Sequence, residues 1–208
     1  MVRVIAIANQ KGGVGKTTTS VNLAASLVAI KQRVLLIDLD PQGSATLGLG
    51  VDKKNLHHSI NEVLLNESSA ADILVKTESQ IDLLPSNGDL TVAEIRLLKI
   101  EQREQVLKKA LATIQNDYDF VLIDCPPSLN MLTINALVAA QSVLVPIQCE
   151  YYAMEGLASL LKSIDQIRQA VNHSLELEGI LRTMYDGRNR LALEVSEQLM
   201  QHFGDKVY

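Results

Sequence analysis

Residues 9–18 read Asn-Gln-Lys-Gly-Gly-Val-Gly-Lys-Thr-Thr, and their reading decides the fold. Ahead of them, residues 2–8 are apolar and rich in β-branched side chains, the pattern of a buried parallel strand. Behind them, apolar residues at 21, 24, 25, 27 and 28 mark one face of a helix over 20–30. A strand that enters a glycine-rich turn and leaves as a helix is the setting of a phosphate-binding loop. Gly12, Gly13 and Gly15 let the backbone take positive φ and approach a ligand closely. The backbone from Gly12 and Gly13 through Val14, Gly15 and Lys16 to Thr17 and Thr18 then forms an anion nest at a helix N-terminus. Lys16 is placed for the β- and γ-phosphates of a nucleotide, and the Thr17 hydroxyl for Mg²⁺.

One position departs from the common pattern. Glycine is expected five residues before Gly15, and Gln10 stands there. Next to it is a second lysine, Lys11. Read alone, Lys11 is a solvated loop lysine.

Composition frames this motif. The 208 residues suffice for one domain with a full core, not comfortably for two. Apolar residues make up 47% and charged residues 21%, as in soluble globular proteins. Aromatics are only 3% with no Trp, so the core is aliphatic, which suits a parallel sheet. A net charge of −5 excludes a globally basic nucleic-acid binder, so DNA contact needs a local patch or a dimer that pools patches. Cys125 and Cys149 are too few and too isolated for a disulfide framework or a zinc site, and point to a reducing cytoplasm. The N-terminus lacks a signal-peptide pattern and no apolar run approaches a membrane span. The expectation is a cytoplasmic protein without stable membrane association.

Further strands follow. Residues 33–38 are a buried run ending at Asp38, with Asp40 two positions on. Ligands of open α/β sheets bind beyond the carboxyl ends of strands, which places both aspartates near a phosphate. Asp-Pro-Gln-Gly at 40–43 reads equally as a plain turn. Residues 119–124 form an apolar run closing on Asp124, a candidate Mg²⁺ holder downstream of a phosphate loop. Strands are also expected at 81–85, 142–147 and 177–184. Helices are expected at 60–65, 70–75, 101–114, 129–140, 153–171 and 196–203. His57 and His58 are adjacent and read as surface residues, not metal ligands. Arg182, Arg188 and Arg190 are the one close arginine grouping off a helix face and are candidates for DNA phosphates.

Lys-Gly-Gly-Val-Gly-Lys-Thr-Thr at 11–18 resembles the deviant Walker A motif of the ParA/MinD group of ATPases. Asp-Leu-Asp-Pro-Gln-Gly at 38–43 resembles switch I of ParA/Soj proteins. The 119–124 run followed by Cys-Pro-Pro-Ser resembles their Walker B and switch II. Thr-Met-Tyr-Asp-x-Arg from 183 resembles the segment bordering the adenine pocket. The resemblance implies a doubly wound, mostly parallel α/β P-loop domain with helices on both faces. It implies ATP/ADP and Mg²⁺ as cofactors, with Thr17, Asp38 and Asp124 near the ion and Met184 and Asp186 near the base. Lys11, Lys16 and Asp40 would carry the chemistry: Lys11 reaches a partner protomer's nucleotide and Asp40 handles the attacking water. A homodimer formed with ATP would bind DNA nonspecifically on the nucleoid. A ParB-like partner would stimulate hydrolysis, and the outcome is chromosome or plasmid partitioning. The rivals are a MinD-like membrane switch, which needs a basic amphipathic helix not found before Tyr208, and a ParA-like positioner of protein cargo. A metal-cluster reductase is poorly served by two lone cysteines. Relatives of this kind continue past the counterpart of Tyr208. The expectation is therefore a single domain over 1–208 lacking its C-terminal segment.

Overall fold

The computed structural model describes residues 2–208. Its strands are β1 (Arg3–Ile7), β2 (Val34–Asp38), β3 (Val75–Lys76), β4 (Asp82–Leu84), β5 (Phe120–Asp124), β6 (Ser142–Gln148) and β7 (Glu176–Thr183). They form one sheet in the order β3-β4-β2-β5-β1-β6-β7. All pairs are parallel except β3 with β4, at the edge. Buried Val, Leu and Ile fill the central strands on both faces, as a covered parallel sheet requires.

Helices cover the two faces unequally. Helices α1 (Lys16–Ala29) and α2 (Ser44–Gly48) pack on one face, over Ile5, Ile7, Leu36 and Leu122. On the other lie α3 (Ile60–Leu64), α4 (Leu90–Leu97), α5 (Val106–Leu111), α6 (Met131–Ala139), α7 (Ala153–Ala170) and α8 (Arg190–Phe203). No helix among the described residues is long and apolar enough to cross a membrane.

Register sets the site. Asp38 pairs with Asp124 across β2 and β5, and Ile7 pairs with Asp124 across β1 and β5. The phosphate loop therefore leaves β1 level with two aspartates. This is the crevice outside the carboxyl ends, where the chain runs one way from β1 to β2 and the other way from β5 to β6.

Three expectations about elements change. Residues 70–75 are not a helix: the Ser69 hydroxyl donates to Asp72 and holds a turn, and the chain then enters β3. The helix expected over 101–114 is cut down to α5. Gln102 sits at φ 53, and Asn135 of α6 accepts from the Leu107 N–H while donating to the Arg103 carbonyl. A tertiary side chain thus takes backbone groups that a longer helix would have used. Residues 90–97, unassigned above, form α4, which buries Leu90, Ala93 and Leu97 at helical spacing.

Candidate functional site

The loop after β1 is fixed at both ends. Asn9 donates to the Pro146 carbonyl of β6 and accepts the Lys11 N–H at 3.0 Å. The Thr183 hydroxyl, at the end of β7, donates to the Val14 carbonyl at 2.8 Å. Gly13 and Gly15 have φ 75 and 87, which β-carbon sterics disfavour in other residues. Gly12 is different: a β-carbon there would meet only Pro127, at 3.9 Å. Nothing among the described residues of the protomer demands glycine at that position.

Lys16 opens α1 and is buried, and its ammonium donates to the Lys11 carbonyl at 2.9 Å. It thus lies across the mouth of the loop. Burial pulls its pKa down, and the carboxylate of Asp124 leads the groups that oppose that shift. Asp124 is fully buried at the end of β5, one oxygen accepting from the Ser20 hydroxyl at 2.9 Å. Its other oxygen, Oδ2, is buried and makes no well-formed hydrogen bond among the described residues, with the Thr17 hydroxyl close to the carboxylate. Burial, then the nearby Asp38 carboxylate, push the Asp124 pKa up to about 7. A buried carboxylate oxygen left open beside a lysine and a helix N-terminus fits a divalent cation.

Asp38 is equally buried but differently used. Its Oδ2 accepts from both the N–H and the hydroxyl of Thr46 at 2.8 Å, and its Oδ1 from the Asp40 N–H at 3.1 Å. Asp38, expected close to the ion, lies level with Asp124 and turns both oxygens onto its own loop. Burial raises its pKa, and the Thr46 donors counter that.

A cavity of about 240 Å³ lies over the loop, lined by Gly12, Gly13, Gly15, Lys16, Thr17, Thr18, Asp40, Pro127 and Met184. It brings together the loop, the switch I aspartate, a switch II proline and the residue after β7. Met184 is exposed at φ 51. Asp186 does not reach this cavity's lining; its carboxylate accepts two guanidinium N–H groups of Arg188, at 2.9 and 2.8 Å.

Lys11 stands apart. Its ammonium forms an ion pair with Glu150, beyond the end of β6, and both side chains are about half exposed. Next to Glu150, Tyr151 and Tyr152 stack edge to face in solvent.

The arginine grouping does not present three free cations. Arg182 lies over the Tyr185 ring and donates to the Ser196 hydroxyl and the Tyr208 carbonyl. Arg188 and Arg190 are about 90% exposed, paired with Asp186 and Glu194. His57 and His58 are exposed.

Residues that the sequence reading passed over also shape the site. Ser20 orients Asp124, and its only signal was a small polar residue one helical turn after Lys16. Thr46 and Ser86, which wire Asp38 and Asp40 together, lie in stretches to which the sequence pattern assigns no element.

A family model described as an AAA domain matches residues 2–177. The sporulation initiation inhibitor protein Soj of Bacillus subtilis is 48% identical over 209 residues, covering 100% of this chain and 83% of that protein. The chromosome partitioning protein ParA of Caulobacter vibrioides is 49% identical over 210 residues, covering 100% and 79%. Among solved structures, one described as a cobyrinic acid a,c-diamide synthase from Mycobacterium smegmatis, with bound ADP and magnesium, superimposes at a TM-score of 0.93. It is 46% identical and covers 98% of this chain and 83% of that one. With its loop, its strand-end aspartates and these relatives, the chain belongs to the ParA/Soj family of P-loop ATPases.

Proposed function

We propose that this protein is a Mg²⁺-dependent partition ATPase that dimerises around ATP, binds DNA nonspecifically as that dimer and is reset by a ParB-like partner. The observation that carries the nucleotide reading is one cavity lined by the loop glycines, Lys16, Thr17 and Asp40, with the buried carboxylate of Asp124 acting on Lys16 from behind it. Thr17 and Asp124 would hold Mg²⁺, which supplies neutralisation of phosphate charge when bound. Asp38 supports them by fixing the loop that carries Asp40. Lys16 exchanges the Lys11 carbonyl for phosphate oxygens, a stronger charge-assisted bond. Asp40, at the cavity wall, accepts the proton of the attacking water. Met184 flanks the nucleotide, and Asp186 acts through the turn it forms with Arg188.

Lys11 and Gly12 support the dimer. Lys16 already serves the phosphates of its own protomer, so Lys11, on exchanging its exposed pair with Glu150, can stabilise charge on a partner's nucleotide. Gly12 has room for a side chain within the protomer, so its value lies in close approach of another loop. The setting is cytoplasmic, at the nucleoid when ATP is bound.

An amide-forming synthase is the second reading, suggested by the Mycobacterium smegmatis structure. A synthase that worked through a nucleophilic cysteine would need a reactive thiolate. Cys125 and Cys149 are both buried, and burial raises both thiols. That favours the partition reading.

The test is retention of unrelated DNA duplexes with ATP, ADP or no nucleotide. The expected result is binding with ATP only, indifferent to sequence and falling steeply with salt. Arg188→Glu with Arg190→Glu should weaken it by about tenfold or more. DNA affinity that ignores the nucleotide would refute the coupling.

A further inference from the structure

Asp40 is held by a closed ring of hydrogen bonds whose far side is Ser86, just beyond the end of β4. The Ser86 hydroxyl donates to the Asp40 carbonyl at 2.8 Å. The Ser86 N–H donates to Thr46 Oγ1 at 2.9 Å. That hydroxyl donates in turn to Asp38 Oδ2, and Asp38 Oδ1 accepts the Asp40 N–H. The ring therefore grips the peptide groups on both sides of the Asp40 α-carbon. Asp38, Thr46 and Ser86 are all wholly buried, so water is kept from the bonds that Thr46 makes with Asp38 and Ser86.

The backbone between these anchors is equally constrained. Gly43 sits at φ 59, and a β-carbon there would lie 2.7 Å from the Ser86 carbonyl oxygen. Gly43 N–H also donates to the Asp40 carbonyl, at 2.8 Å. The other side of the β4 exit is pinned as well, because the Ile60 N–H of α3 donates to the Pro85 carbonyl. A loop of turn-forming residues, which alone would sample many conformations, is thus tied to two strand ends.

We infer that Thr46 and Ser86 are positioning residues for hydrolysis, setting where the Asp40 carboxylate stands relative to the phosphate loop. The inference rests on the reading of Asp40 given above. Neither side chain lines the nucleotide cavity, so neither touches substrate. Their effect passes through the Asp40 backbone. Displacement of a catalytic group by a fraction of an ångström to an ångström lowers turnover without changing ground-state binding.

The test compares wild type with Asp40→Ala, Thr46→Val, Thr46→Ser and Ser86→Ala, each first shown to be folded by circular dichroism and to bind ADP with Mg²⁺. Asp40→Ala should cut kcat by about a hundredfold. Thr46→Val keeps the shape but removes the hydroxyl, and should cut kcat by about tenfold with ADP affinity unchanged. Thr46→Ser should restore the rate, and Ser86→Ala, losing one bond, should cost about threefold. In nucleotide-free protein, amide exchange at Asp40 and Thr46 should quicken in Thr46→Val and, at Asp40, in Ser86→Ala. Wild-type kcat in folded Thr46→Val and Ser86→Ala, with Asp40→Ala impaired, would overturn the positioning role. So would a loss of ADP affinity matching the loss of kcat and not rescued by Thr46→Ser, which marks a merely structural part. An unchanged rate in Asp40→Ala would instead overturn the reading of Asp40, and the positioning role with it.

Discussion

Lys16 and Lys11 lie on the same loop and are held in opposite ways. Lys16 is buried, donates to a backbone carbonyl and is flanked by the buried Asp124 and the cavity-lining Asp40. Lys11 is half exposed and paired with Glu150. The inner half of the site is held from within one protomer, because strand register puts Asp38 and Asp124 level and the loop is tied to β6 and β7. The outer half, with Lys11, Gly12 and the exposed Tyr151 and Tyr152, has no such internal justification. Under the proposed function, the difference assigns nucleotide binding to the inner layer and nucleotide-driven association to the outer one. Variants should divide accordingly.

The largest effect is expected in the inner layer. Lys16→Ala removes a buried charge-assisted contact to phosphate and should weaken ATP binding by about a hundredfold, measured by calorimetry. Unchanged affinity would dissolve the distinction between the two lysines.

Next comes the pH dependence of the empty inner layer. Burial raises Asp124 to about 7, so between its unfolded value near 3.8 and 7 the folded chain holds a proton that the unfolded chain has released. That contribution is complete below the unfolded value and is lost as pH rises through 7, at up to about 1.4 kcal/mol per unit. Asp124→Asn, always neutral, should remove this slope. Urea midpoints without nucleotide or Mg²⁺ at pH 5 and pH 7.5 should therefore differ more for wild type than for the variant. Equal differences would show that Asp124 is not desolvated.

The smallest effect belongs to the outer ion pair. An exposed pair is worth about 1 kcal/mol at most. Glu150→Gln should leave ATP binding unchanged and alter the ATP-dependent association constant by no more than about fivefold. A large loss of nucleotide affinity would move Glu150 into the inner layer.

The same layering explains what could be read before the structure. The inner layer is local in sequence: glycine spacing, Lys16, Thr17 and an apolar run ending in Asp124 each carry their own signal, and the parallel sheet follows from runs such as 120–124. Asp38 was placed correctly at a strand end, but its hydrogen bonds to Thr46 were not legible, because they join a strand to a helix across a turn-rich loop. Ser86 and Ser20 act over tertiary distances and leave no periodicity behind. The helix expected over 101–114 failed for the same reason, since Asn135 intervenes from α6. Conversely, α4 carries a local signal of its own, with Leu90, Ala93 and Leu97 at helical spacing.

Sedimentation of wild type, Lys11→Ala and Gly12→Val with ATP and Mg²⁺ tests the separation of layers most directly, run alongside ATP affinity and turnover. The account predicts that all three bind ATP, that wild type sediments as a dimer, that Gly12→Val stays monomeric and that Lys11→Ala dimerises weakly and hydrolyses little. Wild type that remains monomeric at high concentration with ATP bound, with Lys11→Ala hydrolysing at the same rate, would contradict it.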